Sequence, residues 1–570
     1  VAGQGGGATY DAPVTFRTAA TTAALAVVLA VVGAVTGPQW DPQPVAEHLE
    51  PATSDTTIGG QPSGGVDGIG TYDVRETPVT VRLDGTSVGG ILREPVGADG
   101  DRPGMVFVHG AGTGKATEAF VEVATELASA GVVTLVPDKR LDTYTTRHRD
   151  YAEMAQDYAR SVELLRERPG VDPDAVGVYG ESEGTWIVPV MAAQDPRIAF
   201  SVLVSAPVVP PREQAAFAVD SYLRNTDVPH GVFRAIPRAV GMAIPGGGFE
   251  YADFDVEPYL EELSQPVLVV YGTADPSMPV EQGARQVLDA TADQPGAGTT
   301  VRYYDGANHG IKVGEELVPQ FPRDVAAWVQ SLPASADAPP QVAGAQPNQQ
   351  YLAGPVPTPR WLGNGDLFVA LVVAAVGVLV LGPLVRSAAV LVGRLRRVVG
   401  RTVRPTGLAP GVRWPLLALG VGAIATTVGL VVYLLAVARL ALDYEKDAWV
   451  VQGGWVAVRL AGLATLVAAA QLLNRWLELR AGRRTVRLDH RPGHGTVDRP
   501  EDPARDGPED PTGDRPEDRT DDRRGAAAHG PVAVSLAQGV SARVMLGCVL
   551  VGTTVLLVVL AYWGVYQLGI

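Results

Sequence analysis

Five long apolar runs constrain this chain more than any other feature. Residues 19–38 carry no charge and are mostly Ala, Leu and Val, and four further runs of the same kind lie at about 366–385, 414–438, 454–473 and 544–566. About 20 predominantly apolar residues in a helix cross the hydrocarbon core of a bilayer, so each run is long enough. A buried helix of a soluble domain is the alternative for any one of them, but their length and near absence of charge argue against it. Arg459 is the exception; it sits a few residues inside the fourth run, where its head can snorkel to the interface.

Basic residues near the ends of the runs set the orientation. Arg386, Arg394, Arg396, Arg397, Arg401, Arg404 and Arg413 crowd the loop between the second and third runs, which is therefore expected to be cytoplasmic. The next loop is short and mixed in sign (Asp443, Glu445, Lys446, Asp447) and suits the outer side. Arg475, Arg480, Arg483, Arg484 and Arg543 return to the inside, and Arg17 puts a tail, 1–18, inside as well. All five spans then agree on a multi-pass protein of the cell membrane, with the region between the first two spans extracytoplasmic. The rival for 19–38 is a cleaved signal peptide; no clean A-x-A site follows it, which favours an uncleaved signal-anchor.

The charge of -16 argues against nucleic acid as a partner, although much of it lies in one low-complexity stretch, 488–530. That stretch repeats phrases such as Arg499-Pro-Glu-Asp502 and Arg515-Pro-Glu-Asp518 and cannot bury enough apolar surface to offset its ordering entropy, so it reads as a disordered cytoplasmic loop. Residues 39–71 read as a linker and 333–361, rich in Pro, Gln and Ala, as a tether needing no fold of its own. The single cysteine, Cys548, excludes an intramolecular disulfide and a cysteine metal cluster.

Between linker and tether, residues 72–332 alternate strand-like and helix-like patterns. A hairpin or meander over Val79–Leu92 is followed by strand-like runs ending at Val108, Val136, Tyr179, Val204, Tyr271 and Tyr304. A helix expected over about 151–168 has Met154, Tyr158, Val162 and Leu165 on one side and charges on the other. This alternation predicts an α/β domain, a mostly parallel sheet with helices on both faces, whose ligands bind beyond the carboxyl ends of the strands. Residues 208–262 interrupt the alternation and carry Tyr222, Phe233, Met242, Phe249, Tyr251, Phe254 and Tyr259, the composition of a lid insertion over a substrate pocket.

The chemistry-bearing residues fall at those strand ends. Gly180-Glu181-Ser182-Glu183-Gly184 is a G-x-S-x-G turn, in which small residues let a strand bend sharply into a helix and expose the serine oxygen. His109-Gly110-Ala111-Gly112 follows another strand, and Asp275 and His309 follow two later ones. Serine is a weak nucleophile unless a base lies within hydrogen-bond reach and an acid orients that base. The order Ser182, Asp275, His309 meets that need, with Asp305 as rival for the acid and His109 as a structural rather than basic residue. Gly112-Thr113-Gly114-Lys115 lacks the spacing of a phosphate loop, so nucleotide binding is rejected. No metal or other cofactor is required. Glu181 and Glu183 flank the serine and either disfavour acidic substrates or face solvent.

On the phrases His109-Gly-Ala-Gly112, Asp138-Lys-Arg140, Gly180-Glu-Ser-Glu-Gly-Thr-Trp186, Tyr271-Gly-Thr-Ala-Asp-Pro276 and Gly306-Ala-Asn-His-Gly310, the block resembles the α/β-hydrolase superfamily, in its bacterial esterase, dienelactone-hydrolase-like or serine-peptidase-like branch. The resemblance covers a little under half the chain. It implies an oxyanion hole made by the backbone N–H groups of Glu183 and Ala111, and a lid at 208–262. Thr185 departs from the pattern, since close relatives often have a second glycine there. The expected activity is hydrolysis of an ester, of the carboxylesterase, lipase or thioesterase kind, through an acyl-enzyme on Ser182, with a small-molecule or lipid-like acyl ester as substrate and the lipid bilayer as partner. A serine peptidase or amidase is the alternative enzyme, and a non-catalytic membrane scaffold or sensor the alternative of another class. The orientation is checked with single cysteines at Ala98 and Ala389 in a Cys548→Ser background and an impermeant thiol reagent on intact cells. Labelling at 98 and not at 389 is expected; the reverse overturns the topology.

Overall fold

The computed structural model describes residues 12–58, 66–336, 339–360, 362–402, 406–442, 445–488 and 535–567. Residues 1–11 of the expected N-terminal tail and 489–530 of the charged stretch lie outside the described residues. The chain divides into two compact units. One comprises Val1–Leu29, Val373–Val428 and Arg459–Val558; the other comprises Ala30–Val372, Gly429–Val458 and Val559–Ile570.

The second unit is built on a mostly parallel sheet, as the alternating pattern predicts. Its strands are β1 (Asp73–Leu83), β2 (Thr86–Val96), β3 (Arg102–Val108), β4 (Val133–Pro137), β5 (Val171–Glu181), β6 (Ser201–Val204), β7 (Val267–Gly272), β8 (Thr299–Tyr304) and β9 (Val342–Gly344), in the spatial order β1-β2-β4-β3-β5-β6-β7-β8-β9. The β1–β2 hairpin and its edge onto β4 are antiparallel; every other pairing is parallel. Strands β4, β7 and β8 are buried along their whole length, which is why they read as unbroken apolar runs rather than as alternation.

The two faces of the sheet carry two cores. Along β3, Val106 and Val108 point to one face and Met105 and Phe107 to the other, the period-two consequence of the pleat. The first face is covered by helices Tyr151–Arg166 and Gly184–Gln194, and the second by Val121–Ser129 and Gln320–Gln330. Asp150 starts the Tyr151–Arg166 helix by accepting from the N–H groups of Ala152 and Glu153, both at 3.0 Å. Met154, Tyr158, Val162 and Leu165 are its buried stripe. Between β6 and β7 the chain leaves the sheet for helix Pro211–Asn225 and the short turns His230–Phe233, Ala235–Ala239 and Glu257–Leu260, within the insertion expected as a lid.

The Pro/Gln-rich stretch expected to need no fold is a correction. Its residues Val342–Gly344 form β9 and pair parallel with β8. Polar side chains as well as apolar burial order the stretch, in which Ala343, Ala353 and Val356 are buried. The Gln349 side-chain oxygen accepts from Glu281 N at 2.9 Å, and Gln349 N donates back to Glu281 Oε1 at 2.7 Å. The linker runs beside it, with Ala52 N on Val342 O and Gly344 N on Thr53 O.

Among the described residues, five helices are long and apolar enough to cross a membrane: Val14–Thr36, Gly365–Val398, Arg413–Ala441, Trp449–Ala481 and Val540–Tyr562. In the first unit small residues let them approach closely. A Cβ added at Gly382 would lie 2.7 Å from Cys548 Cβ, one at Gly552 would lie 2.6 Å from Ala375 O, and one at Gly422 would meet Thr465 Oγ1 at 2.5 Å. In the second unit the lid bonds to segments at helix ends. Tyr222 Oη donates to Glu445 O at 2.9 Å, Lys446 Nζ to Asn225 O at 2.8 Å, Gly246 N to the Asp366 carboxylate at 3.0 Å, and the buried Arg238 to Gly33 O at 3.1 Å.

Gly344 has φ +109°, and a Cβ there would collide with Tyr303 O, so Gly344→Ala is strained twice over. The substitution is expected to cost about 2 kcal/mol and to expose residues 339–351 to protease while the sheet stays folded. Thermal unfolding and limited proteolysis with mass mapping check it; an unchanged cleavage pattern contradicts the assignment of β9.

Candidate active site

Ser182 follows the last residue of β5 and has φ +55°, the left-handed region that a side chain enters at a cost of roughly 1–3 kcal/mol. The surroundings hold it there. Ser182 N donates to Val204 O at 3.0 Å, and Ser182 O accepts from Thr185 N at 3.0 Å and from the Thr185 hydroxyl at 2.6 Å. Thr185, the departure from the glycine pattern, thus braces the turn. The flanking glycines are required by space. A Cβ at Gly184 would strike Val108 O, and one at Gly180 would lie 2.7 Å from Gly184 O.

The His109–Gly112 turn lies against the same point: a Cβ at Gly110 would be 3.1 Å from Glu181 O and 3.3 Å from Ser182 Cβ. His109 is fully buried. Its Nε2–H donates to Pro137 O at 2.7 Å, and burial pulls its pKa down to about 4, so it is neutral and occupied with holding β3 to the end of β4. Ala111 is exposed. Neither the Ala111 N–H nor the Glu183 N–H is bonded among the described residues.

His309 and Asp275 come from the turns after β8 and β7 and meet. His309 Nδ1 lies 2.7 Å from Asp275 Oδ2, with the Asp275 side chain inaccessible and that of His309 29% exposed. Oδ1 of Asp275 accepts from Ser277 N at 2.9 Å and Ser277 Oγ at 2.7 Å, so the carboxylate is fixed on both oxygens. Ser205 Oγ anchors the His309 carbonyl at 2.7 Å. Asp305 is exposed, and the imidazole nitrogen is engaged by Asp275 instead. Burial alone would raise the Asp275 pKa, but the His309 charge and hydrogen bond and the Ser277 donors hold it below the usual carboxylate range. Burial likewise would lower His309, and the Asp275 charge and hydrogen bond, joined by Glu181, lift it above its ordinary value.

Glu183 does not face solvent. It is 1% exposed, and its carboxylate collects Lys139 Nζ at 3.0 Å, Arg149 Nη1 at 2.6 Å and Tyr144 Oη at 3.0 Å. Two cations meet one anion, so the surroundings of the serine are not acidic on this side. Lys139 is itself buried, lies 4.4 Å from the centre of the Tyr144 ring, and donates to Gly110 O at 2.6 Å. Burial pulls the Lys139 ammonium below the ordinary lysine range against the opposing pull of Glu183. Lys139, Tyr144 and Arg149 carry no roles in a reading of the sequence; the signal was the Asp138-Lys139-Arg140 phrase at a strand end, quoted there only as a fold marker.

The lid aromatics mostly pack. Tyr251 and Phe254 lie against Tyr151, at 6.0 and 4.9 Å between ring centres, and Tyr151 stacks on Trp186 at 5.6 Å. A cavity of about 200 Å³ lies beside Asp275, lined among others by Phe217, Asp220, Arg224, Met278 and Tyr351. None of the seven large lid residues singled out in the sequence lines it.

Residues 126–334 match the model of the prolyl oligopeptidase family. No curated protein matches the chain. Among solved structures the chain is similar to DcsB in complex with its substrate analogue, at 19% identity and a TM-score of 0.34, over 46% of this chain and 99% of that one. It is similar to dipeptidyl peptidase 4 of Porphyromonas gingivalis at 16% identity and 0.33, over 45% of this chain and 35% of that one, and to a cold-adapted esterase from an Arctic intertidal metagenomic library at 17% and 0.29, over 49% and 99%. With the family match and the sheet described above, the chain carries an α/β-hydrolase-superfamily domain together with, among the described residues, five helices of membrane-spanning character.

The Asp275 carboxylate raises the His309 pKa, so the ring is expected to become neutral at a higher pH than an ordinary imidazole. Carbethoxylation of the His309 peptide by diethyl pyrocarbonate, which needs the neutral ring, is expected to rise through the midpoint of that titration. In Asp275→Asn burial is left to dominate, so the midpoint is expected to move down. An unmoved midpoint contradicts the coupling of the two side chains.

Proposed function

We propose that this protein is a membrane-tethered serine hydrolase that cleaves carboxylic esters outside the cytoplasm, with Ser182 as nucleophile, His309 as base and Asp275 as its orienting acid. The observation that carries the reading is the 2.7 Å His309–Asp275 contact at the strand ends where Ser182 stands on a strained turn. Asp275 fixes the tautomer with the proton on Nδ1, leaving Nε2 to receive a proton. In the first step Ser182 Oγ bonds to the substrate carbonyl carbon, its proton passes to His309 Nε2, and the carbonyl electron pair moves onto oxygen. The N–H groups of Ala111 and Glu183 would receive that oxyanion. Collapse of the adduct expels the leaving group, which takes the proton from His309 and leaves an acyl-enzyme. Water then attacks with His309 again as base, releasing the acid and restoring the serine.

Helices of membrane-spanning length flank the domain along the chain, which supports lipid-like acyl esters as substrates. The match to the prolyl oligopeptidase family favours a second reading, hydrolysis of peptide amides. The polar residues Asp220 and Arg224 in the cavity beside Asp275 accord with it.

Ser182→Ala is expected to abolish labelling by a fluorophosphonate while the protein stays folded; labelling near the wild-type level would sink the nucleophile assignment. His309→Ala and Asp275→Asn are each expected to lower kcat by about 10³–10⁴-fold, since members of such a unit act together. The bond class is read from kcat/KM over an acyl-length series of esters and matched peptide amides. Medium or long acyl esters are expected to lead, and faster cleavage of the amides than of every ester transfers the conclusion to a peptidase.

A further inference from the structure

We propose that Lys139 is a positioning residue that sets both donors of the oxyanion hole, by holding the Gly110–Ala111 peptide and the Glu183 side chain on a single buried ammonium. The inference rests on the reading of Ser182 as nucleophile and goes beyond it, because the Lys139 side chain bonds to Gly110 O and Glu183 and not to Ser182, His309 or Asp275 among the described residues.

The argument begins with the peptide group. In a trans peptide the carbonyl and the N–H point in opposite directions across one rigid plane. The carbonyl of Gly110 and the N–H of Ala111 belong to the same plane. Lys139 Nζ donates to Gly110 O at 2.6 Å, and the Thr113 hydroxyl donates to the same oxygen at 3.2 Å. With the oxygen held by two donors, the Ala111 N–H is turned the other way, and it has no partner among the described residues. Gly110 itself lies against Ser182, 3.3 Å from the serine Cβ to the position of an added Cβ. A charged donor on the carbonyl also draws electron density out of the amide, so its N–H becomes a stronger donor to an anion.

The second contact of the same ammonium is to the side chain of the residue that carries the other donor. Lys139 Nζ lies 3.0 Å from Glu183 Oε2, and the backbone N–H of Glu183 is the partner expected for the oxyanion. Both side chains are 1% exposed, so water neither screens the pair nor substitutes for it. Lys139 is placed for this by its backbone, whose N–H bonds to Gly114 O at 3.0 Å and so ties the end of β4 to the loop that carries Ala111. Glu183 keeps Arg149 at 2.6 Å and Tyr144 at 3.0 Å, which means that loss of the lysine does not leave its carboxylate unpaired.

The test uses the full chain in detergent, with Lys139→Met as the variant that keeps the stem and removes the charge. Turnover of the best ester and the affinity of a boronic acid, which forms a tetrahedral adduct with the serine, are measured together with thermal unfolding. Outright loss of one oxyanion donor costs about 10²–10³ in kcat. A donor left in place but unheld is expected to cost about 10- to 100-fold, with a matching loss of boronate affinity and KM within about 3-fold of wild type. A purely structural role would lower the unfolding temperature without separating kcat from KM. The double variant Lys139→Met/Glu183→Gln covers the case in which the single variant folds poorly, because it removes both members of the pair. It is expected to show the same kcat deficit as the single variant; wild-type kcat in the double variant overturns the proposal, since Lys139 would then serve only to neutralise Glu183. Ser182→Ala separates the two readings. If it still turns over ester, the nucleophile assignment beneath the proposal fails; if it is dead while Lys139→Met keeps wild-type kcat and boronate affinity, Lys139 alone fails.

Discussion

The site depends on how closely three backbone segments approach one another at the ends of β3 and β5. Gly110, Gly180 and Gly184 stand where a Cβ would meet Ser182 Cβ, Gly184 O or Val108 O within 3.3 Å or less. Without side chains at these positions the His109 turn, the Ser182 turn and the following helix share a volume that only backbone fits. That packing forces the left-handed conformation of Ser182, and hydrogen bonds to Val204 O and from Thr185 keep it. The strain is maintained because the structure around the turn is over-determined, and its result is a hydroxyl held clear of the strand it follows.

Backbone crowding also explains which charges can be tolerated. A carboxylate buried at residue 183 would be costly alone, and the fold brings it Lys139 from the end of β4 and Arg149 from the loop ahead of helix Tyr151–Arg166. The half-buried Tyr144 and the buried Tyr151 complete the cluster: burial pushes their pKa values upward, keeping them neutral donors. The flanking glutamate that looks acidic in the sequence is therefore over-compensated in space. Glu183 thus adds no net negative charge beside the serine.

Fold and site were unequally legible in the sequence, for a physical reason. Strand and helix periods are local, so the runs at Met105–Val108, Val267–Tyr271 and the stripe Met154, Tyr158, Val162, Leu165 declare their elements within a few residues. The G-x-S-x-G turn is local too, because its constraint is steric. The meeting of His309 with Asp275 follows from chain order once the sheet is parallel. The Glu183 cluster could not be read, since Lys139 and Arg149 are 44 and 34 residues away and no period links them. The strand at Val342–Gly344 was hidden for a related reason: its stretch is ordered in part by Gln349 on Glu281, a pairing that composition registers only as a lack of apolar residues.

The lid illustrates the same limit from the other side. Its aromatic content suggested a pocket wall, yet Tyr251 and Phe254 pack on Tyr151, and Tyr222 turns its hydroxyl to Glu445 O. Composition identifies residues that must be buried and says nothing of what buries them. Lid residues are instead bonded to the segments around Gly33, Asp366 and Lys446, each at or beside the end of a membrane-length helix within the same compact unit. Arg238 is the extreme case: a guanidinium with no exposed surface, bonded to Gly33 O and lying 5.0 Å from the centre of the Tyr562 ring. Moving this segment as a body would break these bonds, including that of the buried Arg238 guanidinium to Gly33 O, and burying a polar group without its partner is costly. The 208–262 segment is thereby bonded to helix-end segments of its own compact unit as well as packed on the helices that cover the sheet.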